Sequence, residues 1–150
     1  NPSSATRPRI FEIGTQVGGM ENMKGMRMKG DSPGNGMAEM HTINGKSYDL
    51  KRIDEVLKAG VTERWVFDNS QGDEPHPMHI HGVHFRILER VGGRNGVQAG
   101  ETGWKDTVLL LPKEKVSVLF QTPTFPGKYV MHCHNLEHEE SGMMMNFEVR

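Results

Sequence analysis

The arrangement of histidines around the only cysteine is the feature that most constrains how this chain can fold. Cys133 stands between His132 and His134, and four residues separate each successive member of the series Cys133, His138 and Met143. One strand end and the loop that follows it can wrap donors at this spacing around a single ion. The fold therefore has to hold this segment where further ligands can reach it.

A second histidine cluster, His76-Pro-Met-His79-Ile-His81, lies far upstream of the cysteine. His76 can supply a second imidazole, and a thiolate, two imidazoles and a weak thioether make a blue-copper centre. The remaining histidines form two His-x-His pairs, and alternate residues of an extended segment point to the same side. A second metal site beside the first is therefore expected from His79, His81, His132 and His134.

Two other interpretations compete with copper at these clusters. Zinc uses the same cysteine and histidine ligands, but structural zinc sites usually take several closely spaced cysteines, and this chain has one. A lone cysteine is often a small buried apolar residue, and single histidines often lie on the surface. Six histidines and one cysteine in two short clusters are hard to explain in that way, and Met143 in the series favours a soft, redox-active metal.

The remaining pattern predicts an all-β chain. Short apolar runs separated by Gly and Pro turns favour an antiparallel sandwich, and a chain of 150 residues fits one domain. A helical turn is predicted at residues 54–58, and residues 14–42 are predicted to be a loop or mobile insert. Strands are predicted over residues 10–13, 62–69, 79–91, 106–111, 115–121, 127–133 and 143–149.

Both histidine clusters resemble the signature segments of the C-terminal cupredoxin domain of multicopper oxidases, particularly the bacterial laccase-like and copper-efflux cuprous oxidase types. Trp104-Lys-Asp-Thr-Val108 and Glu63-Arg-Trp-Val-Phe67 add to the likeness. The resemblance implies a Greek-key β-sandwich of the cupredoxin type with a methionine-rich N-terminal insert. Residues 1–42 would be a linker and that insert, as part of the same domain, and residues 43–150 the cupredoxin domain.

This resemblance also implies a role for each histidine of the two clusters. His79 would bind a type 2 copper, and Glu139 resembles an acidic residue that relays protons near the cluster, although a solvated surface glutamate is an equally good interpretation. His41 and His84 have no ligand place, and His84 is expected to pack or hydrogen-bond in its strand. The type 1 copper would be bound by His76, Cys133 and His138 with Met143 as axial ligand, and the type 3 pair by His81, His132 and His134.

The function implied by the resemblance is that of an oxidoreductase with oxygen as acceptor. Single electrons from Cu(I) or phenolic donors would enter at the type 1 copper. They would pass through Cys133 to the adjacent His132 and His134, and the trinuclear copper site would reduce dioxygen to water. The alternative is a stand-alone blue-copper electron-transfer or copper-binding protein, which needs only the type 1 ligands.

The ligand count predicts a missing partner. A trinuclear site in this family takes twice as many histidines as the four that this chain supplies. The rest would come from an N-terminal cupredoxin domain of the same protein or of another subunit, so the chain alone is expected to be inactive. The net charge of −1 gives no case for nucleic acid or for an anionic membrane surface. A periplasmic or secreted location follows from the family likeness alone.

Methionines concentrate near the N-terminus, at Met20, Met23, Met26, Met28, Met37 and Met40. Thioethers are soft donors that suit Cu(I), which predicts a substrate-binding role for the first four. The spacing of Met20, Met23 and Met26 also suits one apolar face of a short helix, but the glycines of this segment weaken a helix.

Overall fold

Two five-stranded β-sheets pack face to face in the computed structural model, which describes residues 7–17 and 39–150. The predicted all-β sandwich is confirmed. Its strands are β1 (Arg9–Val17), β2 (Glu39–Ile43), β3 (Glu55–Leu57), β4 (Thr62–Asp68), β5 (His76–Ile80), β6 (Phe85–Val91), β7 (Thr107–Leu110), β8 (Lys115–Gln121), β9 (Gly127–Cys133) and β10 (Met144–Val149). A five-residue helix, α1 (Leu136–Glu140), and a short 3-10 helix (Ala99–Glu101) complete the described elements.

The strand order places the two histidine clusters side by side. One sheet has the order β2-β1-β4-β8-β6, and the other has the order β3-β10-β9-β5-β7. Two pairs, β1 with β4 and β3 with β10, are parallel, so the sandwich is mixed rather than purely antiparallel as predicted. Strands β5 and β9, which carry the clusters, are direct neighbours in the second sheet.

An aromatic core joins the two sheets. Residues of β4 alternate between partly exposed and buried, so that Trp65 and Phe67 point inward. The ring of Trp65 meets the ring of Phe147, from the facing sheet, edge-on at 5.4 Å between centroids. Full burial of one large apolar side chain stabilises the fold by about 3 kcal/mol relative to leaving it exposed. The clusters are thus anchored on a rigid scaffold.

Three local predictions were wrong. Residues 54–58 do not form a helical turn, because residues 55–57 pair with β10 as a strand. Parts of the predicted loop at residues 14–42 belong to β1 and β2, which pair with each other. The predicted strand 79–91 is divided at Gly82, which has a φ of +77° and no room for a Cβ beside Tyr129.

A buried charge network joins the end of β6 to the turn between β7 and β8. The Arg90 guanidinium and the Glu114 carboxylate are both fully buried and pair directly, and Arg94 also binds Glu114. Burial alone would raise the pKa of Glu114, but hydrogen bonds from Arg94 and from the backbone lower it to about 2. The Glu114 carbonyl accepts a bond from the backbone of Asn69, whose side chain in turn holds the loop before β5.

Among the described residues, no helix is both long enough and apolar enough to cross a lipid bilayer.

Candidate metal centre

The register between β5 and β9 divides the potential metal ligands between two faces of one sheet. Met78 lies opposite Cys133, and His79 lies opposite His132. Successive side chains of a strand point to opposite faces, so His76 shares the inner face with Met78 while His79 points outward. In β9 the same alternation sends Cys133 inward and His132 outward. We call His76, Cys133 and His138 the inner set, and His79, His81, His132 and His134 the outer set.

The inner set converges on one point. The Nδ1 atoms of His76 and His138 lie 3.0 Å apart, and Cys133 Sγ lies 3.8 Å from the first and 3.6 Å from the second. All three side chains are buried. The fold therefore brings residues of the two sequence clusters together, with one thiol and two ring nitrogens facing a shared space.

Helix α1 and the turn after it deliver His138 and Met143. The side chain of Asn135 accepts a hydrogen bond from the Glu137 backbone and so caps the first turn of the helix. Met143 is fully buried, and its backbone N–H donates to the His138 carbonyl while its carbonyl accepts from the Cys133 N–H. These bonds tie the backbone of Met143 to both neighbouring ligands.

The inner set fits a single metal ion. Metal bonds of about 2.0 Å to nitrogen and about 2.3 Å to sulfur, arranged trigonally, place the donor atoms roughly 3.5 to 3.7 Å apart. The observed separations of 3.0, 3.6 and 3.8 Å require only a small expansion between the two imidazoles. A cysteine with two histidines in a trigonal array, beside a buried methionine, is the donor set of a blue-copper site.

Burial keeps these ligands uncharged before an ion arrives. It raises the pKa of Cys133 to about 11, so the sulfur is a protonated thiol at neutral pH. Burial, and to a smaller extent repulsion from a charge on His138, lowers the pKa of His76 to about 4. Burial also lowers the pKa of His138. Both imidazoles are therefore ready to bind, and an incoming cation has to displace only the thiol proton.

The outer set forms a second cluster on the other side of the sheet. The Nε2 atoms of His81 and His132 lie 3.1 Å apart, and His79 completes a group of three potential ligands. The His134 ring lies 5.8 Å from the His79 ring and 5.5 Å from the His132 ring. His81 and His134 are exposed, so this cluster opens to the surface.

Hydrogen bonds orient two rings of the outer set. Nδ1 of His79 donates to the Asp106 carbonyl at 2.8 Å, and Nδ1 of His132 donates to the Cys133 carbonyl at 2.9 Å. In both rings Nε2 is thereby left to bind a metal ion, as is usual for metal-binding histidines whose other nitrogen is held by a hydrogen bond. Burial, followed by repulsion from charges on His79 and His132, lowers the pKa of His81.

Glu139 lies beside the outer set. Its carboxylate is 3.4 Å from Nδ1 of His132 and its side chain is partly exposed. Its distance from His132 suits a proton relay, and its partial exposure suits a solvated surface glutamate.

The sequence did not indicate a role for His41. This residue is buried, and its ring stacks on the ring of His138 with 4.1 Å between centroids. His41, Glu74 and His138 form a third group of potential ligands. The contact joins segments that are about a hundred residues apart in sequence, as the bond from His41 to Ser141 illustrates, and no motif links them.

Other predicted features behave differently. The expectation that His84 packs in a strand is wrong, because it is exposed between β5 and β6 at a shallow depression shared with Trp104 and Gln121. The predicted substrate-binding methionines lie outside the described residues: Met20, Met23, Met26 and Met28.

Comparison with known proteins gives a consistent match. The model of the multicopper oxidase family matches residues 19–150. The chain is 41% identical over 110 residues to a bilirubin oxidase of Albifimbria verrucaria, covering 71% of this chain and 19% of that protein. It is 39% identical over 119 residues to a multicopper oxidase of Staphylococcus aureus, covering 76% of this chain and 26% of that protein.

A solved structure agrees. The chain superimposes on a multicopper oxidase of Campylobacter jejuni, described as a metallo-oxidase, with a TM-score of 0.78 and 34% identity. The match covers 97% of this chain and 30% of the other. The chain thus spans about a fifth to a third of the length of these relatives.

Proposed function

The chain belongs to the multicopper oxidase family, and we propose that its inner set forms the type 1 copper centre of such an oxidase. The observation that carries this proposal is the convergence of Cys133 Sγ with Nδ1 of His76 and Nδ1 of His138 within 3.0 to 3.8 Å. Met143, buried and tied through its backbone to both neighbouring ligands, would be the axial ligand.

Bound copper would supply one-electron redox chemistry at the inner set and the reduction of dioxygen to water at the outer set. The residues of the chain provide the connection between the two. Cys133 is bonded through its backbone to His132, on the opposite face of β9, and to His134, the first residue after that strand. The shortest covalent route between the two sets therefore runs from the Cys133 sulfur through one peptide bond to an adjacent imidazole.

The outer set would be half of the oxygen-reducing site, with His79 on the type 2 copper. The exposed outer rings, and the small share of the relatives' length that this chain covers, both support a partner that completes the site. This partner would be an N-terminal cupredoxin domain of the same protein or of another subunit, in a periplasmic or secreted oxidase. The type 3 ligands supplied here would be His81, His132 and His134.

Glu139 would carry protons toward the outer set. Its carboxylate lies 3.4 Å from the His132 ring and remains partly exposed, so it can exchange protons with water while it faces the cluster. Dioxygen reduction consumes protons as well as electrons, and a carboxylate at this position shortens their path.

The reducing substrate would be Cu(I), with phenols as a second donor class. The insert connects β1 to β2, and β2 carries His41, which contacts His138. In an intact oxidase, changing Met20, Met23, Met26 and Met28 to Leu retains apolar bulk but removes sulfur, so cuprous oxidation should fall several-fold while phenol oxidation holds or rises. Unchanged cuprous oxidation would exclude the insert as the Cu(I) site.

Two matched variants of the copper-loaded chain test the type 1 assignment. Cys133→Ser should abolish the blue thiolate-to-copper charge-transfer band, because the thiolate is lost. His79→Ala should keep the band, because His79 lies on the other face of the sheet. A blue Cys133→Ser variant would exclude the assignment. An intact band in His79→Ala together with no copper bound at the outer histidines in any assembly would favour the stand-alone electron-transfer protein.

A further inference from the structure

His41 contacts the candidate ligand His138 from the opposite sheet. It lies in β2, the edge strand of the first sheet, and its ring stacks on the His138 ring at 4.1 Å with 24° between the ring planes. Both side chains are buried. The stack therefore shields one face of the His138 imidazole from solvent.

Both nitrogens of His41 are held in place. Nδ1 lies 2.5 Å from the hydroxyl oxygen of Ser141, and that hydroxyl lies 3.0 Å from the His138 carbonyl. Nε2 lies 3.2 Å from the Glu74 carboxylate. His41 is thus connected to the ring of His138, to the end of α1 and to the loop before β5.

The loop that carries Glu74 is itself anchored. The buried side chain of Asn69 donates to the Glu74 carbonyl at 2.8 Å and to the Leu111 carbonyl at 3.1 Å. The Glu74 carboxylate is 44% exposed, yet its backbone is fixed at the position that faces His41. The contact between His41 and Glu74 is therefore anchored in the sandwich on both sides, through β2 and through Asn69.

The other polar contacts of the His138 ring outside the inner set, with the Asn135 amide at 3.4 Å and the Glu74 carboxylate at 3.6 Å, both meet Nε2 and leave the tilt of the ring free. An isolated helix of one turn has little stability, and the torsion that rotates an imidazole about its bond to Cβ is broad. We propose that His41 is the positioning residue that sets the ring plane of His138 and so aims its Nδ1 at Cys133 and His76. This inference rests on the proposed type 1 centre.

Two substitutions of similar size separate the ring plane from simple filling of space. His41→Phe retains a planar ring but loses both hydrogen bonds, and His41→Leu retains apolar bulk without a plane. His84→Ala is the control, because that histidine is exposed and lies outside the proposed site. Each full chain is titrated with Cu(II) against a competing chelator, and its visible absorption spectrum is recorded.

We expect His41→Leu to weaken Cu(II) binding about 10-fold, the lower end of the loss that follows removal of a hydrogen-bonded outer partner of a metal-binding histidine, and to shift the charge-transfer band. His84→Ala should keep the parent band and affinity, and His41→Phe, which retains the stacking plane but not the contacts that hold it, should lie between His41→Leu and the parent. Parent-like binding by His41→Leu overturns the inference, and so does equal damage in both His41 variants. A parent chain without blue colour overturns the proposed type 1 centre itself, which is a separate result.

Discussion

At the scale of single residues, burial prepares the inner set for a metal ion. The pKa of Cys133 is raised to about 11 by burial, and the pKa of His76 is lowered to about 4 by burial and by repulsion from a charge on His138. A neutral thiol and neutral imidazoles are less costly to bury than charged groups. The metal-free pocket is therefore stable near pH 7 and becomes less so when acid forces a proton onto a buried ring.

This argument predicts how the stability of the metal-free chain depends on pH. The folded pKa of His76, about 4, lies below its unfolded value of 6.5, so the unfolded state takes up a proton first. The contribution is fully present above pH 6.5 and is lost as the pH falls toward 4. In urea unfolding, the parent should lose more stability between pH 7 and pH 5 than His76→Asn does. Equal losses in the two chains would contradict a lowered pKa for the buried His76 ring.

At the scale of elements, the pairing of β5 with β9 determines which histidines serve which site. Successive side chains alternate between faces, so a shift of one residue would exchange the inner and outer sets. Gly82 ends this pairing just after His81, whose backbone N–H donates to the Val130 carbonyl at 2.9 Å. A Cβ at Gly82 would lie 2.6 Å from the ring of Tyr129, in β9.

Gly82→Ala should consequently destabilise the chain and disturb the outer set while sparing the inner one. The left-handed backbone at φ +77° alone costs about 1 to 2 kcal/mol for a residue with a Cβ, and the contact with Tyr129 adds to that. Gly96→Ala is the matched control, since Gly96 has a φ of +95° and open space around it. Urea unfolding should show the larger loss in free energy of unfolding for Gly82→Ala. The visible spectrum of copper-loaded Gly82→Ala should retain the blue band. Equal losses would mean that the Tyr129 contact has no cost.

The elements also show what the sequence could and could not predict. Local signals were sufficient for β9, which was predicted over residues 127–133, but not for β5, because the predicted strand 79–91 began three residues after His76 and ran on through Gly82. Strands β2 and β3 were missed, since their stability comes from pairing with distant partners rather than from their own composition. The stack of His41 on His138 was missed for the same reason, because only the folded sandwich brings the two rings together.

At the scale of the whole molecule, the sandwich encloses one set of ligands and exposes the other. The inner set is buried between the sheets, so the chain should hold one copper ion there without help. The outer set has two exposed histidines and would need a partner to become a complete oxygen-reducing site. Copper at the two sets should therefore differ in affinity and in spectrum.

Copper content measured together with electron paramagnetic resonance on the purified chain, after exposure to a chelator, tests this account most directly. We expect one tightly held copper per chain, intensely blue, with the narrow hyperfine splitting of a thiolate-bound ion, and none retained by Cys133→Ser. A tightly held copper that is colourless, or one that Cys133→Ser retains unchanged, would contradict the assignment of the inner set as a type 1 centre.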